Sequence, residues 1–77
     1  MIVRSYSTQY LPERDTATIR FVIAGITSRP IINFPSEHVH KYWNILRILQ
    51  NENPVSIRIA GGRITHIWTG EEEPGNN

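Results

Sequence analysis

The 77-residue chain has no cysteine. That excludes a disulfide framework, thiolate chemistry and cysteine-ligated metal, and it fits a reducing compartment. No apolar run approaches the ~18 residues of a membrane span, and Met1-Ile2-Val3-Arg4-Ser5 lacks the charged region and apolar block of a signal peptide. A cytoplasmic protein with no membrane contact is the expectation. Acidic residues are also scarce. Glu13, Asp15, Glu37 and Glu52 stand alone before the Glu71-Glu72-Glu73 triplet, so Met1 to Gly70 carries eight basic residues against four acidic ones, a formal +4. Glu13 and Asp15 share a turn, Glu37 opens a helix and Glu52 follows its end, so no pair is placed for acid and base work.

Other chemistry is equally thin. Ser5, Ser7, Ser28, Ser36 and Ser56 lie in no nucleophile elbow, and Gly61-Gly62 has neither the Lys-Ser/Thr nor the following helix of a phosphate loop. His38 and His40 are two apart on a predicted helix and diverge by ~200°, whereas two ligands on one helix need a spacing of three or four. His66 stands on a strand with no cysteine or nearby acid in sequence. The reading is a protein that is not an enzyme, with no cofactor and no metal site.

The stretch Ser36 to Gln50 organises what is present. At ~100° per residue, Tyr42, Leu46, Val39 and Trp43 fall on one arc, Ile45 and Leu49 flank it, and His40, Asn44 and Arg47 lie opposite. Ser36 is placed to cap the helix and Glu37 to meet its positive end, and Asn53-Pro54 stops it. On this pattern Trp43 and Trp68 are core residues joining the helix to a hairpin. Ile48 points away from the core.

Met1 to Leu11 reads as a strand, and Pro12-Glu13-Arg14-Asp15 as a reversal. Thr16 to Ala24 alternates, with Ala17, Ile19, Phe21 and Ile23 inward and Thr18, Arg20, Val22 and Ala24 outward. A four-residue loop pairs Thr8 with Ile19 and Tyr6 with Phe21, with Tyr10 opposite Ala17, which turns both tyrosines inward. Pro30 to Phe34, bounded by prolines, is an edge strand. After the helix, Val55 to Ala60 and Arg63 to Trp68 form a hairpin around Gly61-Gly62. Pairing Ile59 with Ile64 in strict alternation puts Val55, Ile57, Ile59, Ile64, His66 and Trp68 inside, and Ser56, Arg58, Ala60, Arg63, Thr65 and Ile67 outside.

The predicted fold is therefore α+β: a mainly antiparallel sheet of four to five strands, in the order β-β-β-α-β-β, with one helix packed on one face. Residues 1–69 form a single domain. Residues 70–77 form an acidic tail with no apolar anchor, expected to be disordered.

Two function classes follow. The first is a small accessory, inhibitor or regulatory module that binds another protein, as a homodimer, through Val22 and Ile67 on the outer face, Ile31 and Ile32 on the edge strand, and Ile48 on the helix. Size, a basic body and an acidic tail resemble the small accessory or inhibitor proteins encoded by mobile genetic elements. The second is a nucleic-acid-binding module. Arg20, Arg58 and Arg63, with Thr18 and Thr65, supply an acid-free set of donors for phosphate oxygens. With Tyr6 and Tyr10 turned inward, that face has no aromatic platform, so base stacking on single strands is not indicated and duplex or backbone contact is the form expected. Arginine and threonine are also ordinary residues for the solvated side of a sheet.

Overall fold

The computed structural model describes residues 1–74. It is α+β, as predicted. The strands β1 (Val3–Leu11), β2 (Thr16–Ile23) and β3 (Ile31–Phe34) precede a 3-10 turn (Ser36–His38) and helix α1 (Val39–Asn51), and β4 (Val55–Ala60) and β5 (Arg63–Thr69) follow. The single sheet of the sequence reading is split into an antiparallel β1-β2-β3 sheet and a β4-β5 hairpin. The split is incomplete. Ile2 bridges to Ser56, the Met1 amino group donates to the Ile57 carbonyl at 3.0 Å, and the Ile57 amide donates to the Met1 carbonyl at 2.7 Å. The start of the chain thus joins β1 to β4, while β3 lies against β5. Among the described residues no helix is long and apolar enough to cross a membrane.

The apolar pattern sets the first sheet. Tyr6 lies opposite Phe21, Thr8 opposite Ile19 and Tyr10 opposite Ala17, the register that the four-residue turn dictates. Ala17, Ile19, Phe21 and Ile23 are all buried, and Tyr6 and Tyr10 pack against them. Each fully buried side chain of this size contributes about 1.5–3 kcal/mol, so the Ile19–Phe21–Ile57 centre accounts for much of the fold's stability. β3 is a terminal strand of its sheet, as its flanking prolines require.

Helix α1 covers this core with a stripe shifted from the predicted one. Tyr42 and Leu49 are buried, with Ile45, Leu46, Val39 and Ile48 packed around them. Seven residues bring Leu49 to within about 20° of Tyr42, while Trp43 lies about 100° away. Trp43 is accordingly not a core residue: it is 48% exposed. Its ring lies 4.9 Å from Tyr42 and 5.3 Å from Tyr10, forming an aromatic cluster at the edge of the core. Ile48, expected on the outer side, rests on the core margin because the buried stripe is wider and centred elsewhere. Nor does Ser36 cap the helix through its side chain. A 3-10 turn closes instead, with the His38 amide donating to the Pro35 carbonyl at 2.9 Å.

The hairpin departs most from strict alternation. Ile59 pairs with Ile64 as predicted, but Arg58 then pairs with His66, Ile57 with Ile67 and Ser56 with Trp68. Thr65 is the extra residue of a β-bulge, its hydroxyl donating to the Arg58 carbonyl at 3.4 Å. The apolar spacing explains it: Ile57 and Ile59 are two apart, but Ile64 and Ile67 are three apart. Only an inserted residue lets both pairs face inward. A second bulge at Arg4 does the same for Val3 and Tyr6.

Candidate functional site

The Thr65 bulge changes which side chains share the outer face of the hairpin. Ile67 turns inward against the core, and His66 and Trp68 turn outward opposite Arg58 and Ser56. Both of the earlier placements, Ile67 outside and His66 and Trp68 inside, are corrected by that one residue. Arg63, opposite Ala60 beside the turn, completes the face. Gly61 and Gly62 have φ of 59° and 76°, positive values that glycine adopts without steric cost in a two-residue turn. The turn holds Arg63 at the exposed tip.

The outer hairpin face therefore carries Arg58, Arg63, His66 and Trp68, with no carboxylate from either strand. The acid comes from beyond β5. Ser56 is fully buried, and its hydroxyl donates to the Gly70 carbonyl at 2.6 Å. The Gly70 amide donates to the Pro54 carbonyl at 2.8 Å. These bonds turn the chain back along β4, and the Glu73 carboxylate pairs with the Arg58 guanidinium. Residues 75–77 of the tail expected to be disordered lie outside the described residues. Two buried polar atoms on this side, Trp68 Nε1 and Glu73 Oε1, find no hydrogen-bond partner among the described residues. A buried donor and a buried acceptor left unpaired are costly.

The other residues of the arginine set sit elsewhere. Thr18 and Arg20 belong to the outer face of the β1-β2-β3 sheet, alongside Ser7, Gln9 and Asn33. There Thr18 donates to the Asn33 side-chain oxygen at 3.1 Å. The split of the sheet separates this polar patch from Arg58 and Arg63 in the hydrogen-bonded ladder, and Thr65 is engaged in the bulge, 2.9 Å from His66 Nδ1.

The apolar set loses most of its surface. Ile32 pairs with Ile19 and packs inward, as do Ile48 and Ile67. Alternation along β3 leaves only every second residue outward, so Ile31, 43% exposed, and half-buried Val22 remain. Val22 also contributes, with Arg4, Ile26 and Arg29, to an open groove of about 310 Å³.

One ionisable side chain is clearly perturbed. The Tyr10 hydroxyl donates to Asp15 at 2.6 Å, which raises its pKa above the ordinary tyrosine value, with burial and the carboxylate's charge acting in the same direction.

Comparison with protein-family models, with curated proteins and with solved structures gives no match.

Proposed function

We propose that this chain is a non-enzymatic module that binds single-stranded nucleic acid through the outer face of the β4-β5 hairpin. The observation that carries the reading is the grouping of Arg58, Arg63, His66 and Trp68 on one strand face that has no acid of its own. Arginine forks recognise phosphate oxygens, and an indole supplies a stacking surface that any base can use. Tyr6 and Tyr10 turn inward as expected, and the aromatic surface for stacking comes instead from Trp68, which the Thr65 bulge brings to the outer side.

The winding supports the reading by analogy. Neighbouring strands run in the order β3, β2, β1, β4, β5, β5 lies against β3, and the helix connects the third and fourth strands. Small Greek-key barrels that bind oligonucleotides and oligosaccharides are five-stranded and partly open in the same way.

The test is fluorescence anisotropy of a labelled oligothymidylate across a salt series. Binding should weaken steeply with salt, and Arg58→Ala or Arg63→Ala should each reduce the slope of log K against log salt by about 0.7, the single-strand value per phosphate contact. Unchanged affinity and slope in both variants would remove the hairpin from the interface.

Protein association is the second reading, favoured by the exposure of Ile31 beside Val22. Its form would be a homodimer or a complex with another protein. Sedimentation of wild type and Val22→Asp decides it: a dimer that this substitution dissociates supports it, and a monomer in both excludes the homodimer.

A further inference from the structure

We propose that Glu73 is a resident phosphate mimic, occupying in cis the subsite at Arg58 that a phosphodiester group of the nucleic acid takes in the complex. The inference rests on the binding reading above and adds to it a subsite and its regulation by the tail.

Three observations carry it. The Glu73 carboxylate is seated on Arg58, with its side chain 18% exposed against 47% for the arginine. Its route there is fixed rather than incidental, because Ser56 and Pro54 hold Gly70 by hydrogen bonds to both of its backbone polar groups. The seat is also imperfectly filled. Glu73 Oε1 is buried without a partner, and so is Trp68 Nε1, whose residue pairs with Ser56 one step along the same face from Arg58 and His66.

A carboxylate has two oxygens on a planar group, and here only one of them is satisfied. A phosphodiester presents non-bridging oxygens in a tetrahedral arrangement, so it can accept from the Arg58 guanidinium along one direction and from a second donor along another. The Trp68 indole N–H is a donor lacking a partner on this face. Exchanging Glu73 for phosphate therefore preserves the charge pairing at Arg58 and offers the indole an acceptor.

The exchange follows population arithmetic. The apparent affinity falls by the fraction of molecules whose tail is withdrawn, so a half-exposed ion pair of modest strength should mask binding by about three- to fivefold.

The experiment uses the full chain with Glu73→Gln, which is near-isosteric and lies outside the folded core, and Glu72→Gln, which removes the same charge from the neighbouring tail position. Two probes are titrated by calorimetry: an oligothymidylate of about 15 residues, near the upper site size for a single small barrel, and inorganic tripolyphosphate. The expected result is that Glu73→Gln binds the oligonucleotide about three- to fivefold more tightly than wild type, while Glu72→Gln changes affinity by less than about 1.5-fold through general charge alone. Equal effects of the two variants would overturn the mimicry while leaving the hairpin interface standing. Tripolyphosphate binding released by Glu73→Gln without oligonucleotide binding would support the anion subsite and overturn nucleic acid as its ligand. Absence of binding by either probe to any of the three proteins would overturn both.

Discussion

Ile67→Asp is the most direct mutational test of the bulge that creates the candidate site. Ile67 is half-buried, opposite the fully buried Ile57 and packed on the core. Complete burial makes an isoleucine truncation cost 2–5 kcal/mol, so a half-buried position should lose about 1–2.5 kcal/mol from the missing hydrocarbon alone. A carboxyl group placed there without a partner adds about 1–3 kcal/mol, giving a total of about 2–5.5 kcal/mol. A domain of this size has only about 4–11 kcal/mol of stability, so the variant should be severely destabilised or unfolded. At about 4–8 °C per kcal/mol, the melting temperature should fall by at least about 8 °C. Val22→Asp, on the outer face, should lose no more than about 1 kcal/mol. Urea unfolding followed by far-UV circular dichroism measures both. If Ile67→Asp loses less than about 1 kcal/mol, a value typical of surface substitutions, Ile67 faces solvent, the Thr65 bulge is wrong, and His66 and Trp68 leave the arginine face.

Three further outcomes follow from the geometry. Because the bond to Asp15 keeps Tyr10 protonated, Tyr10 should ionise above the ordinary tyrosine value of 10.0. Its contribution to stability is full below that value and is lost as pH rises through the raised folded one. Asp15→Asn should lower the Tyr10 midpoint in an ultraviolet phenolate titration, and an unchanged midpoint would refute the assignment. Gly61→Ala or Gly62→Ala forces a Cβ into positive φ and should cost about 1 kcal/mol in urea unfolding; a neutral result would argue against the turn geometry. Trp43 is half-exposed and should remain open to acrylamide quenching, whereas Trp68 should become more accessible only when residues 71–77 are removed. The variants Trp43→Phe and Trp68→Phe separate the two signals, and equal quenching with and without the tail would mean that the tail does not cover Trp68.

The elements were largely legible in the sequence because each depends on a local period or a local breaker. The alternation of Ala17, Ile19, Phe21 and Ile23 and the length of the Pro12–Asp15 turn fix the β1-β2 register from Ser5 to Leu11, and the glycine pair at 61–62 fixes the two hairpin pairs beside it. The facing of β5 was not legible under strict alternation. The signal was nonetheless present: Ile64 and Ile67 are three apart, and two apolar residues at that spacing can share a face only across a bulge. Strict alternation misplaces His66, Ile67 and Trp68 for that reason, while Thr65 stays exposed as the inserted residue.

The rest depended on distant parts of the chain. The bridge between Ile2 and Ser56 joins residues far apart in sequence, and no local pattern announces it. The return of the tail is similar. Ser56 reads as an ordinary strand serine, and only its burial beneath Gly70 shows why Glu73 reaches Arg58. On the helix, Trp43 and Ile48 sit at opposite margins of the buried arc, where small changes in helix rotation decide exposure. A wheel drawn without the packed sheet cannot locate that margin.

Amide chemical-shift mapping with an oligothymidylate tests residue by residue whether ligand binds on the outer hairpin face. The largest changes are expected at Arg58, Arg63, His66 and Glu73 and at the Trp68 indole N–H, with the Trp43 indole little affected. Changes centred instead on Val22 and Ile31, or on Thr18 and Arg20 with a silent Trp68 indole, would contradict it.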